Sequence, residues 1–293
     1  MADVALDTLR ADIVEVGRRL YARGFCASND GNISIRLGED RILTTPKSVS
    51  KGFMSPDMMV VVDLDGRKVA GDRDASSELL MHLEVYRQRA DVRAVVHAHP
   101  PLATGFAVAG VPLDRAVLAE VITTLGSIPI AEYGTPSTPE LPAAVRQYIR
   151  VHDGLLLANH GALTVAHEVF AAYYKMETIE HFAKISLAAR LLGGERLLSQ
   201  EEVLRLQGLR GRYGIASPAS ICLDDILEGR VAATSDATCQ VVRAPDAPGE
   251  RVVIDPSRTA RWPTSPSAGG DEEIRLTYRQ LAALVQEAVR KLQ

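Results

Sequence analysis

His97 and His99 flank Ala98 at the end of the apolar run Val95-Val96. Side chains alternate along an extended chain, so both imidazoles leave such a strand on one side. A second apolar run, Leu155-Leu156-Leu157-Ala158, leads into Asn159-His160-Gly161. If the two strand ends lie side by side, His97, His99 and His160 form a three-nitrogen site for a divalent ion, with a coordination position left for substrate. Such an ion polarises a carbonyl and stabilises the negative oxygen of an enediolate, which lowers the cost of making or breaking the adjacent carbon–carbon bond. The reaction also needs a proton carrier. Glu78, in Ala75-Ser76-Ser77-Glu78 at the start of a helical pattern, is the candidate for that role or for a removable ligand. A first-turn glutamate is also a common helix-end carboxylate, and a lone His-x-His is often structural. The matching run before His160 gives the metal reading its weight.

An anion site is indicated close by. Asp30-Gly31-Asn32 is a turn signal, and exposed backbone N–H groups in such a turn can hold an anion or simply close the turn. The loop Thr45-Pro46-Lys47-Ser48-Val49-Ser50-Lys51-Gly52 carries hydroxyls and two cations that could grip a phosphate or a carboxylate, although alone it would read as a solvated loop. Ser76 or Ser77 could cap the following helix, or an anion could use the same free N–H groups.

The elements that would position these groups follow from periodicity. Leu9, Ile13, Val16, Leu20 and Tyr21 mark a helix over residues 5–22, stopped at Gly24. Strands are expected at 33–36, 41–45 and 58–63, with a short return from Lys68. A helix beyond Glu78 would bury Leu79, Leu80, Leu83 and Tyr86, and a strand over 93–99 would end at Pro100-Pro101. Helices are then expected at 114–125, 138–152 and 167–192, the last with Phe170, Tyr174, Ile185 and Leu192 inward; strands are expected at 127–131 and 154–158. The composition changes after Gly193-Gly194. A helix at 200–210, short strands at 240–243 and 251–254, a loop at 256–270 around Trp262 and an amphipathic helix at 271–292 follow. The chain therefore reads as a catalytic domain over 1–194 and a C-terminal extension over 195–293.

With 33 basic and 37 acidic residues dispersed along it, the chain offers no large basic field, so nucleic acid is not an expected partner. Cys26, Cys222 and Cys239 are too few and too far apart for a disulfide framework or a thiolate zinc site, which favours a reducing compartment. The first residues lack a secretion pattern, and no apolar run reaches the roughly 20 residues that span a bilayer, so a cytoplasmic protein without a membrane partner is expected.

Gly31-Asn32-Ile33-Ser34, Thr45-Pro46, Ser76-Ser77-Glu78, Val96-His97-Ala98-His99 and Asn159-His160-Gly161, in this order, resemble the class II aldolase/adducin family, whose members include zinc-dependent sugar-phosphate aldolases. The resemblance spans about residues 8–192. It implies an α/β fold with a central, mostly antiparallel sheet flanked by helices, and a homo-oligomer, commonly a tetramer with active sites at subunit contacts. It also implies that His97, His99 and His160 hold Zn2+, with Mn2+ or another divalent ion as alternatives, and that Glu78 is the catalytic acid/base. The anion-binding positions it implies are Gly31, Asn32, Lys47, Ser48, Ser76 and Ser77. This chain departs from the family where Lys47-Ser48 replace a Thr or Ser followed by Gly, which should reshape the anion pocket. It also has Ile122 near the epimerases' essential aspartate and Leu118 near the fuculose-phosphate aldolase tyrosine, leaving Tyr133 as a replacement or a packing aromatic. The expected activity is reversible aldol cleavage of a small anionic hydroxy-keto compound, a sugar phosphate or a carboxylate, through a metal-stabilised enediolate. The alternatives are metal-dependent decarboxylation of a hydroxy or aromatic carboxylic acid, and a non-catalytic adducin-like oligomerisation module.

Overall fold

The computed structural model describes residues 2–213 and 215. The strands and linker expected between 240 and 270 and the terminal helix expected at 271–292 lie outside the described residues. Helix α1 (Ala2–Ala22) is followed by strands β1 (Asn32–Arg36), β2 (Arg41–Thr44), β3 (Val60–Asp63) and β4 (Lys68–Ala70). Then come α2 (Leu79–Gln88), β5 (Ala94–Ala98), α3 (Pro101–Val108), α4 (Ala119–Thr124), β6 (Ile130–Ala131) and α5 (Glu140–Ile149). The hairpin β7 (Gly154–Leu157) and β8 (Gly161–Ala166) leads to α6 (Val169–Leu191) and α7 (Gln200–Leu209). No described helix is long and apolar enough to cross a membrane.

The strands form one sheet in the order β4-β3-β2-β1-β5-β8-β7-β6, antiparallel throughout except for the parallel β6–β7 pair. Because β5 alternates, Ala94, Val96 and Ala98 join the core beneath α1, α3 and α6, whereas Val95 packs on the opposite face with α2 and α5. His97 shares the parity of Val95 and therefore points to the α2 side. It lies opposite Asn32 of β1 and Leu163 of β8.

Four elements differ from the periodicity reading. Pro100-Pro101 ends the strand and also begins α3, with Pro101 at the first helical position, where a missing N–H is harmless. Glu180 of α6 accepts hydrogen bonds from the free Leu102 and Ala103 N–H groups of that helix, the shortest at 2.8 Å. The helix expected at 114–125 is confined to Ala119–Thr124, because Leu113 is bridged to Ile128 through reciprocal backbone bonds. In α6 the buried stripe runs through Ala172, Tyr173, Met176, Ile179, Phe182 and Ala183, leaving Tyr174 and Leu192 exposed. The unforeseen strand β8 is buried along its whole length between β5 and β7, as expected for a strand covered on both faces.

A buried ionic cluster fixes the start of β7. Asp153 meets Arg89 at 3.0 Å and Lys175 at 2.7 Å, and its side chain is nearly inaccessible. Removing one member of such a cluster leaves uncompensated buried charge. Asp153→Ala should therefore lower unfolding free energy by about 3–5 kcal/mol, measured by urea denaturation; a loss under 1 kcal/mol would show that Arg89 and Lys175 find other partners.

Candidate metal centre and anion pocket

The three histidines arrive on separate supports. His97 is the fourth residue of β5, His99 is the first past its end, and His160 sits in the β7–β8 connection behind Asn159, which adopts φ +55°. Asparagine tolerates this left-handed conformation better than most residues, so Asn159 allows the reversal that presents His160. Gly161 then lets the rings approach. A Cβ there would stand 2.6 Å from Ala98 O and 2.6 Å from His99 Cδ2. Gly31, at φ +75°, makes a comparable approach to His97 O on the neighbouring strand.

The ring centroids of His97, His99 and His160 lie 4.7–4.9 Å apart, and one nitrogen from each falls within 4.8 Å of the others. His97 Nδ1 donates to Ala162 O at 2.9 Å in the tautomer that leaves Nε2 unprotonated. His99 Nδ1 faces Asp30 Oδ2 at 3.3 Å. These outer contacts turn the Nε2 lone pairs of His97 and His99 toward each other at 3.1 Å. Two lone pairs so placed repel unless a proton or a cation lies between them, so the donor set fits a divalent ion bound by neutral imidazoles. Burial, reinforced by His97 and His160, pushes the His99 pKa down to about 4, which favours that neutral form.

Glu78 immediately precedes α2 and reaches this cluster from the side of the sheet that His97 faces. Its Oε1 is 3.0 Å from His160 Nε2 and its Oε2 is 3.3 Å from His97 Nε2. Burial opposes the charge on this carboxylate, but His97 and His160 outweigh it and hold the group well below the usual carboxylate range. Neither Ser76 nor Ser77 makes the expected cap. The Ser76 hydroxyl instead accepts from Glu78 N at 3.3 Å and from Asn32 Nδ2 at 2.7 Å, tying the catalytic candidate to β1.

Beside the cluster is a cavity of about 290 Å³ whose wall includes His99, His160 and Glu78. Gly31, Lys47, Ser48, Ser76 and Ser77 line it too. The backbone bonds Lys47 N to Asp74 O and Ser76 N to Thr45 O lace the two loops that supply them. Asn32 is buried behind this wall and supports Ser76, whereas Tyr133 is exposed and takes no part in the lining. The cavity also uses Lys51, the second cation of the loop read as an anion grip, together with Asn29, Asp30, Pro136 and Ser137, which periodicity and motif reading did not single out as site residues. Asp30 could have been noticed as an acid inside the Asp30-Gly31-Asn32 turn; Ser137, at φ +66°, carries no such signal.

His82 lies one turn beyond Glu78 and is wholly buried, its Nδ1 2.7 Å from Ser34 Oγ, which in turn meets Tyr86 Oη at 2.8 Å. Burial, together with His97, pushes its pKa from the ordinary 6.5 down to about 3. The unfolded chain takes up a proton here below about pH 6.5 and the folded one does not until about pH 3. The contribution to stability is therefore full above pH 6.5 and is lost progressively as the pH falls. Replacing His82 with Gln should flatten the pH dependence of unfolding in this window by up to about 1.4 kcal/mol per pH unit. Denaturant titrations between pH 4 and 7 test this, and parallel profiles for the two proteins would refute it.

The chain as a whole has known relatives. The family model described as the class II aldolase and adducin N-terminal domain matches residues 11–187. Over 207 residues the chain is 32% identical to a 5-deoxy-D-ribulose 1-phosphate aldolase from Bacillus thuringiensis serovar kurstaki, covering 70% of this chain and 96% of the relative. It is 29% identical over 219 residues to a 3-oxo-tetronate 4-phosphate decarboxylase from Haemophilus influenzae, covering 72% and 100%. A solved structure of an L-fuculose 1-phosphate aldolase superposes with a TM-score of 0.65 at 29% identity, covering 69% of this chain and 95% of that one. The protein belongs to the class II aldolase and adducin family. Within it, the chain is an enzyme, a divalent-metal-dependent lyase.

Proposed function

We propose that the enzyme catalyses reversible aldol cleavage of a small hydroxylated keto compound with an anionic tail, most simply a sugar phosphate. The observation that carries this reading is the placement of Glu78 against His97 and His160 on the wall of a cavity that also presents hydroxyls and lysines. His97, His99 and His160 would hold the ion, with Zn2+ favoured by the all-nitrogen donor set and Mn2+ as an alternative. When bound, the ion supplies electrophilic stabilisation of the negative charge that develops on the substrate's carbonyl oxygen. Ala162 and Asp30 orient His97 and His99 through their Nδ1 atoms, and Glu78 carries the proton between oxygen and carbon. Gly31, Lys47, Ser48, Ser76 and Ser77 hold the anionic tail, with Asn32 fixing the Ser76 hydroxyl. As in the family at large, a homotetramer is the expected assembly, and light scattering tests it.

Decarboxylation is the second reading. It is supported by the similarity to the decarboxylase and by the lysines in the cavity wall, since a second cation can grip a carboxylate. A panel of ketose phosphates and 3-oxo acids, with aldehyde and carbon dioxide followed together, separates the two. Release of carbon dioxide without any aldehyde would replace the aldolase assignment by the second reading, and absence of both products with every divalent metal would remove the lyase proposal.

A further inference from the structure

Lys51 stands in a short 3-10 turn, Lys51–Phe53, and is only 2% exposed. Its Nζ donates to Asn29 O at 3.0 Å and to Val49 O at 2.7 Å, and it makes no ion pair among the described residues. An ammonium carries three donors, so these two carbonyls leave one N–H to place. Burial lowers its pKa, with Cys26, Asp30 and Glu78 pulling the other way. A buried cation held only by neutral carbonyls is costly to maintain, and a bound anion would offset that cost. Lys51 and its partner Asn29 both belong to the wall of the 290 Å³ cavity beside the metal centre. Lys47, the other cation of this loop, is exposed and must be ordered when a ligand arrives, whereas Lys51 is already held in place.

We infer that Lys51 is the specificity-determining cation of the cavity, taking the phosphate-type oxyanion of the substrate through its third N–H. A phosphate offers three free oxygens, which suits Lys51 together with the hydroxyls of Ser48, Ser76 and Ser77 better than the two oxygens of a carboxylate do. This inference rests on the reading of the cavity as the seat of an anionic substrate, but its test does not require turnover.

The experiment is calorimetric titration of the metal-loaded, full-length protein with inorganic phosphate and, separately, with acetate. The wild type should prefer phosphate. Lys51→Met should weaken phosphate by about 10- to 100-fold, with metal content and Tm retained, and Lys51→Arg should recover part of the loss. Lys47→Met should weaken phosphate less than Lys51→Met does, because the exposed Lys47 must first be ordered and contributes less fixed charge. The inference is overturned if Lys51→Met binds phosphate as the wild type does, if it loses metal or Tm together with phosphate, or if acetate binds better than phosphate. A wild type that binds phosphate through Lys51 but turns over no substrate would sink the lyase assignment and leave this inference standing.

Discussion

His97→Ala should strip the enzyme of its metal. His97 is fully buried, its Nδ1 is committed to Ala162 O, and its Nε2 lies 3.1 Å from His99 Nε2 and 3.3 Å from Glu78. Among the described residues only His99 and His160 converge with it, so alanine leaves two imidazoles where three meet. Loss of an outer hydrogen-bonding partner typically weakens metal binding by about 10- to 100-fold, and loss of a ligand should cost at least about 100-fold. Metal analysis after exhaustive dialysis, with circular dichroism to confirm that the chain still folds, provides the measurement. Full metal retention by a folded His97→Ala protein would defeat the ligand assignment.

Glu78→Gln should separate proton transfer from metal binding. Glutamine preserves the length and shape of the side chain but cannot shuttle a proton, and general acid–base groups contribute roughly 10²- to 10⁴-fold to rate. Turnover should fall by about that range while the three histidines keep most of the metal. Some weakening of metal binding is expected, because the carboxylate lies within 3.3 Å of two of the imidazole nitrogens. Exchange of the substrate's carbon-bound proton with deuterated solvent should be suppressed in parallel. A Glu78→Gln protein that exchanges this proton at the wild-type rate would assign the proton carrier elsewhere, with His82 the nearest buried imidazole on the same helix.

Much of this molecule was legible before its structure. The two-residue period of Val95-Val96-His97-Ala98-His99 and the apolar run before His160 pointed to two strand ends, and β5 and β7 occupy those places. Glu78 was visible as an acid at the head of an apolar helix, although it stands just outside the first turn. The α6 stripe was misjudged by one position at Tyr173 and Tyr174. Both are large aromatics; Tyr173 is buried with its hydroxyl against Arg23 and Glu177, whereas Tyr174 is half exposed beside Arg19. β8 escaped notice because a strand buried on both faces lacks the alternation that marks a half-exposed one.

Local chemistry sets the periodicity, turn residues and donor types of this chain, because these depend on neighbours a few positions away. It could not say that Asn32 would stand behind the cavity wall, that Tyr133 would lie outside it, or that Lys51 rather than Lys47 would be the buried cation. Those outcomes come from the register of β1 against β5 and from loops 45–48 and 74–76 lacing together across the sheet edge. Contacts between residues distant in the chain are chosen by the packing of the whole core, so they become visible only once it has formed.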